Sequence, residues 1–222
     1  MASVTEKVIK LFDEIRAACE KSGRDYKDVK VLAAAKYATA DQLMEAISAG
    51  ISIIGENKVQ DAVRNQCLLL AVNKHFIGHL QTNKVKEAVR IFDCIESVDS
   101  YRLAEMINIE AERALKKMKV LIEVNIASDP RKYGIASGEV RHFLRKIDVL
   151  KYLEVKGLMA IAPFSEDPEE SRECFRKMKK LYVECRKGRP EMDTLSMGMT
   201  HDFRVAVEEG ANEVRIGSYL FK

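Results

Sequence analysis

The opening segment of the chain has the hydrophobic periodicity of an amphipathic helix. Over residues 4–22 apolar side chains recur at helical spacing, with charged side chains between them. Gly23 follows directly, and glycine commonly ends a helix. The pattern therefore predicts a helix before any other element.

After this helix, short apolar runs without helical periodicity alternate with longer helix-like segments. The eight runs are 29–35, 51–55, 75–78, 94–98, 120–126, 155–162, 195–199 and 213–216. The helix-like segments are 41–49, 58–71, 82–91, 101–117, 138–150, 168–187 and 203–209. Strands that alternate with helices in this way predict a parallel sheet.

Eight parallel strands are enough to close a sheet into a barrel. We therefore predict an α/β protein: a single (β/α)8 TIM barrel over residues 1–222, with an additional N-terminal helix. The chain stops soon after the eighth run, so we expect this helix to take the outer position that a last helix usually fills. An open doubly wound sheet is the competing architecture, but the G-x-G-x-x-G motif of its dinucleotide-binding form is absent.

Composition narrows the class of protein. The net charge of +3 comes from 37 basic and 34 acidic residues in mixed runs, unlike a dedicated nucleic-acid binder. No stretch reaches the about 20 apolar residues of a membrane span, and no exposed apolar stripe is evident. We expect a cytoplasmic monomer with an aliphatic interior that binds neither nucleic acid nor membrane.

The cysteines show no C-x-x-C pair and are predicted to be buried thiols: Cys19, Cys67, Cys94, Cys174 and Cys185.

Lys36 is the unusual residue among the strand ends, where barrel enzymes carry their active residues. A lysine that closes an apolar strand is expected in a partly dry barrel mouth, where desolvation favours the neutral, nucleophilic amine. Such amines form Schiff bases with aldehydes, and pyridoxal 5'-phosphate (PLP) is a common aldehyde cofactor. The alternative is a lysine that merely extends into solvent, and Lys36 alone does not decide between the two.

Small and hydroxyl-bearing residues follow the seventh and eighth runs, where barrels frequently bind phosphate. Backbone N–H groups near Gly217 can approach phosphate oxygens, and the hydroxyls of Ser196, Thr200 and Ser218 can donate as well. The alternative is that glycine and serine simply form ordinary loops here. Lys36 and this candidate phosphate site are predicted to face the same mouth.

Arg215 lies in the eighth run. An arginine beside a pyridine nitrogen keeps that nitrogen unprotonated and weakens the ring as an electron sink. The alternative is an ion pair between Arg215 and a carboxylate such as Glu213 or Glu123.

The chain resembles the pyridoxal-phosphate homeostasis proteins, whose barrel is similar to the N-terminal domain of alanine racemase. The resemblance covers nearly the whole chain. Its landmarks are Lys36, Gly55-Glu56-Asn57 with Val59-Gln60, His75-Phe76-Ile77-Gly78 with Leu80-Gln81 and Asn83-Lys84, Val124-Asn125 with Lys132 and Gly134, Gly157-Leu158-Met159, Leu195-Ser196-Met197-Gly198-Met199-Thr200 with Asp202, and Val214-Arg215-Ile216-Gly217.

The resemblance implies that Lys36 holds PLP as an internal aldimine and that Arg215 lies by the pyridine nitrogen. It also implies that Asn57 lines the surroundings of the ring. The residues it assigns to the phosphate are Ser196, Gly217 and Ser218. The implied role is to buffer PLP or deliver it to PLP-dependent apo-enzymes and to keep amino-acid and keto-acid pools balanced. The chain departs from residues common in the family at Tyr37, Ala38 and Lys74, which concerns secondary contacts rather than the Lys36 linkage.

Three functions are compatible with these residues. Racemisation through PLP needs acid–base groups on both faces of the cofactor, and alanine racemases take one, a tyrosine, from a second domain for which this chain has no room. We therefore favour a cofactor-binding regulatory protein, with a weak racemase or transaminase as the alternative. The third is an interaction module whose basic residues hold an anionic partner: Lys58, Lys84, Arg131 and Lys132. The four histidines do not fall at metal-site spacing, so no metal site is predicted.

Overall fold

Eight parallel strands form a closed barrel in the computed structural model of the protein, which describes residues 2–65, 72–127, 129 and 131–222. Around the barrel the order is β1, β2, β3, β4, β5, β7, β8 and β9, and β9 pairs again with β1. The strands β1 to β9 are Lys30–Ala34, Ile53–Glu56, Asn73–Phe76, Cys94–Val98, Met118–Asn125, Ile135–Ala136, Leu153–Ala160, Thr194–Met199 and Glu213–Ile216. The predicted eight-stranded barrel is confirmed. Strand β6, which was not predicted, pairs with β5 alongside the ring.

The α-helices of the described part surround the barrel. Helices α1 to α9 are Val4–Lys21, Ala40–Ser48, Val59–Arg64, Val85–Ile91, Tyr101–Arg113, Val140–Ile147, Arg172–Arg186, Phe203–Glu208 and Ser218–Phe221. Part of the predicted helix 58–71, namely residues 66–71, lies outside the described residues, and α3 ends at Arg64. No helix in these ranges is both long enough and apolar enough to cross a membrane.

Helix α1 is part of the barrel's outer layer. Ser3 and Glu6 form a capping box at its first turn. The helix packs against α2, α8 and α9, and the Tyr219 hydroxyl of α9 donates to Glu14 Oε1 at 3.1 Å. Helix α1 therefore takes the outer position predicted for it, beside the four-residue α9.

The interior has two different parts. Between the strands and the helices the core is mostly aliphatic, as predicted, but its largest fully buried side chains are aromatic: Phe76, Phe92, Phe175 and Phe203. Inside the barrel, however, inward-facing positions of the strands carry a buried polar group that the prediction of an aliphatic interior missed. Its members are His75, Glu96, Ser196, Glu213 and Arg215. Alternation along each strand explains the contrast, because Val214 and Ile216 face the helices while their neighbours face inward.

The cysteines only partly follow the prediction. Cys19, Cys94 and Cys185 are buried, whereas Cys174 on α7 is partly exposed, so the prediction was wrong for that residue. Cys67 lies outside the described residues.

Candidate functional site

Lys36 lies at the carboxyl end of β1, on the rim of the barrel. The strand ends at Ala34, and a short 3-10 helix, Ala35–Tyr37, carries Lys36 outward. The side chain is exposed, and its Nζ lies 4.9 Å from the centroid of the Tyr37 ring. The expectation of a partly dry setting was therefore wrong, because Lys36 lies in a 3-10 turn beyond the end of the strand and its side chain is exposed.

A cavity of about 400 Å³ borders Lys36 between the ends of β1 and β2. Its walls include Glu56 and Asn65, and Asn65 Nδ2 donates to Glu56 Oε1 at 3.1 Å. Burial raises the pKa of the Glu56 carboxyl to about 7, although the Asn65 hydrogen bond opposes the shift. Lys36 therefore lines a pocket that also contains a group able to hold a proton near neutral pH.

The loop after β9 lies beside the end of β1. A Cβ added to Gly217 would lie 3.4 Å from both the Cβ and the carbonyl oxygen of Ala34, two residues before Lys36. The N–H groups of Gly217 and Tyr219 both donate to Thr200 Oγ1 at 3.3 Å. The structure thus brings Thr200, Gly217 and Ser218 together at the mouth that carries Lys36.

Ser196 does not join that loop. It has no exposed surface, and its Oγ donates to Glu96 Oε2 at 2.8 Å and accepts from Arg215 Nη1 at 2.6 Å. The predicted contact between the Ser196 hydroxyl and phosphate does not fit this placement, because the hydroxyl faces the barrel interior and is already paired there.

Arg215 is buried with its guanidinium held by uncharged acceptors. Arg215 Nη1 donates to Ser196 Oγ, and Nη2 donates to the carbonyl oxygen of Ala160 at 2.9 Å. Among the described residues no carboxylate oxygen lies within 4.0 Å of its nitrogens, so the alternative of a direct ion pair with Glu213 or Glu123 is wrong. Burial, reinforced by Asp99, raises the pKa of Glu123 to about 7 despite the opposing charge of Arg215.

Asn57 follows β2 at the same end of the barrel and is partly exposed. Its backbone carbonyl would lie 2.2 Å from a Cβ on Gly78. Only a glycine after β3 allows this close approach, so Gly78 fixes the position of the Asn57 backbone.

A further group at the mouth was not predicted as part of the site. His79 Nδ1 lies 3.1 Å from Asp99 Oδ2, and the Tyr133 ring stacks on the His79 ring with centroids 3.7 Å apart. The sequence signal was the position of His79 and Asp99 directly beyond the third and fourth strands. Metal-site spacing of the histidines does not reveal this arrangement.

The basic residues of the proposed interaction module are not all available for a partner. Lys84 Nζ lies 3.2 Å from Glu87 Oε2, and Arg131 forms hydrogen bonds with Asp129 at 3.0 and 3.1 Å. Lys132 Nζ donates to the carbonyl oxygen of Ala162 at 3.4 Å.

Comparison with known proteins gives one consistent result. The family model "Alanine racemase, N-terminal domain" matches residues 10–222. The pyridoxal phosphate homeostasis protein of Aquifex aeolicus is 38% identical over 97% of this chain and 96% of its own length. The Escherichia coli K12 protein of the same name is 33% identical over 100% of this chain and 97% of its own.

Solved structures agree with these relatives. An unknown protein from Bifidobacterium adolescentis superposes with a TM-score of 0.93 at 33% identity, over 98% of this chain and 94% of that one. PipY of Synechococcus elongatus, solved with PLP bound, has a TM-score of 0.84 at 30% identity, over 99% and 100% of the two chains. Alanine racemase of Clostridium difficile, at 11% identity and a TM-score of 0.77, shares the fold over 56% of its chain.

Proposed function

Because this chain belongs to the pyridoxal phosphate homeostasis proteins, within the alanine racemase N-terminal domain family, we propose that it binds PLP on Lys36 and takes part in PLP homeostasis. The observation that carries the proposal is the convergence of the Lys36 strand end with Gly217, Ser218 and Thr200 at one barrel mouth. The likeness to PipY, whose structure contains PLP, supports the choice of cofactor.

The residues at the mouth match three parts of PLP: the aldehyde, the phosphate and the ring. The Lys36 amine suits the aldehyde, which supplies reversible Schiff-base capture when PLP is bound. The N–H groups of Gly217 and Tyr219, now directed at Thr200 Oγ1, suit the phosphate, together with the hydroxyls of Thr200 and Ser218. Asn57 would line the ring.

Arg215 suits the pyridine nitrogen because its charge is not neutralised by a direct carboxylate contact. A guanidinium there keeps the nitrogen unprotonated and makes the ring a weak electron sink. We assign Ser196 a supporting role in place of a phosphate contact, since its hydroxyl holds Arg215 Nη1 at 2.6 Å. These features favour binding and release of PLP over amino-acid chemistry.

The exposure of Lys36 also suits a carrier. A linkage at an open mouth is accessible to water and to an incoming amine, so PLP can be released or passed on. We propose that the protein acts as a cytoplasmic monomer that buffers PLP and supplies PLP-dependent apo-enzymes, without binding nucleic acid or membrane.

The test is the absorbance spectrum of the protein loaded with PLP, before and after borohydride reduction. We expect an absorbance band that moves on reduction and a pyridoxyl label on Lys36, and Lys36→Ala should lose both. Lys222→Ala is the matched control, because Lys222 Nζ lies 4.2 Å from the same Tyr37 ring and should keep both. Equal labelling of wild type and Lys36→Ala, or a label on Lys222, would show that Lys36 is only a strand-end lysine.

A further inference from the structure

A second cavity lies at the opposite, amino end of the barrel. It has a volume of about 310 Å³ and is lined by the first residues of several strands and the residues just before them. Charged residues of both signs border it, among them Lys30, Lys119, Asp93 and Asp193. His75 and Glu213, from inside the barrel, also line it. The cavity therefore connects the buried polar group with solvent, away from the strand ends that carry Lys36.

Three side chains converge at the inner end of this cavity. His75 on β3 places Nδ1 2.7 Å from Glu96 Oε1 on β4 and 4.0 Å from Glu213 Oε2 on β9. One nitrogen and two carboxylate oxygens of the three residues all lie within 4.8 Å of one another. Glu96 and Glu213 are 0% and 1% exposed. The set is a partly buried imidazole with two buried carboxylates, open to solvent on one side through the cavity.

Neither carboxylate is paired with a lysine or an arginine in the described part of the chain, and the direct partners of Glu96 are His75 Nδ1 at 2.7 Å and Ser196 Oγ at 2.8 Å. No lysine or arginine nitrogen of the described residues lies within 4.0 Å of either one, and Arg215 reaches Glu96 only through Ser196. Glu213 Oε1 is buried without a hydrogen-bond partner among the described atoms. A buried carboxylate without a partner is costly unless it is protonated or binds a cation.

We propose that His75, Glu96 and Glu213 form a binding site for a divalent first-row transition-metal cation at the amino end of the barrel. One imidazole with two carboxylates suits Mn²⁺, Fe²⁺ or Zn²⁺, and water from the cavity completes the coordination shell. Glu213 Oε1 gains a partner when the cation binds. Ser196, whose hydroxyl donates to Glu96 Oε2 at 2.8 Å, fixes the orientation of that ligand.

The test is a titration of the metal-free full-length protein with Mn²⁺, in which the electron paramagnetic resonance signal measures unbound metal. Mn²⁺ is chosen because thiols bind it weakly, so the cysteines do not interfere. We expect one saturable site per chain. Glu213→Gln keeps the side-chain volume but removes a charged ligand, so it should weaken binding at least about tenfold.

Asp193→Asn is the matched control, because Asp193 lines the same cavity but is not one of the three ligands. The affinity of this variant for Mn²⁺ should stay within about twofold of that of the wild type. The idea is overturned if wild type shows no saturable site, if Glu213→Gln binds as tightly as wild type, or if Asp193→Asn loses as much affinity. Should Glu213→Gln fail to fold, wild-type crystals soaked in Mn²⁺ decide. An anomalous peak must lie between the three side chains, and its absence contradicts the site.

Discussion

Ser196 joins two charged side chains inside the barrel, Glu96 and Arg215. Its hydroxyl accepts from Arg215 Nη1 and donates to Glu96 Oε2. Hydrogen bonds to charged groups contribute about 1.5–3 kcal/mol each, and an unmade one leaves the cost of desolvation. The hydroxyl therefore stabilises the barrel interior and holds the Arg215 guanidinium in place.

Ser196→Ala should lower the free energy of unfolding by about 1–3 kcal/mol, because Glu96 and Arg215 each lose a buried partner. Ser97→Ala is the control. Ser97 is equally buried on β4, but its hydroxyl has no hydrogen-bond partner among the described atoms, so its loss should be nearly neutral. Urea denaturation of the three proteins measures the difference. Equal effects of the two substitutions would show that the Ser196 hydrogen bonds contribute nothing.

The strand-end rule pointed to Lys36, Thr200, Gly217 and Ser218, and the structure places these four residues at one barrel mouth; their contacts with PLP stay a prediction. The inward direction of the Ser196 hydroxyl was not predicted, since a motif shows where a residue lies along the chain but not which way its side chain faces. Strand β8 begins at Thr194, and alternation from there directs Ser196 inward. The exposure of Lys36 could not be predicted either, because it depends on a single 3-10 turn.

Helix α5 ends earlier than the hydrophobic periodicity of the sequence predicts. The sequence predicts a helix to residue 117, whereas α5 ends at Arg113. Leu115 then adopts a positive φ of 53°, and the N–H of Lys116 donates to the carbonyl oxygen of Ala111 at 3.1 Å. This is the left-handed helix ending that usually carries glycine. Leu115 is 88% exposed, so packing of its side chain does not offset the strain of the positive φ.

Leu115→Gly should raise the free energy of unfolding by about 0.5–1 kcal/mol, because glycine adopts a positive φ without strain. Leu115→Ala is the control, since it removes the same exposed side chain but keeps the Cβ that causes the strain. It should leave the stability nearly unchanged. Thermal or urea unfolding distinguishes the two, and a Leu115→Gly protein no more stable than Leu115→Ala would contradict the strain at this position.

Element boundaries were predicted best where apolar residues reach the ends of a strand. Strand β7 is Leu153–Ala160 while the sequence predicts 155–162. Strand β3 is displaced equally, since it begins at Asn73 and ends at Phe76 while the sequence predicts 75–78. Its first residues, Asn73 and Lys74, are polar and lie at the amino end of the barrel, so hydrophobicity does not reveal them. Strand β6 has two residues and α9 has four, which is too short for any periodicity to appear.

The barrel closes where the two ends of the chain meet. Strands β1 and β9 pair in register, with Lys30 opposite Glu213 and Ala33 opposite Ile216. Helix α1 covers this seam, and Lys7 Nζ donates to the carbonyl oxygen of Lys222 at 2.8 Å. The prediction that residues 1–222 form a single domain rests on this closure, because α1 shares its core with elements from both ends of the chain.

Leu11→Ala on α1 tests that prediction through cooperativity. Leu11 has no exposed surface, so the truncation should cost about 2–5 kcal/mol, while Ile9→Ala, on the same helix but 57% exposed, should change the stability by less than about 0.5 kcal/mol. If α1 and the barrel unfold as one unit, far-UV circular dichroism and tyrosine fluorescence will report one urea transition that moves to lower urea in Leu11→Ala. Two separate transitions, with only the minor one shifted, would instead show that α1 detaches before the barrel unfolds. The seam between β1 and β9 would then hold without it.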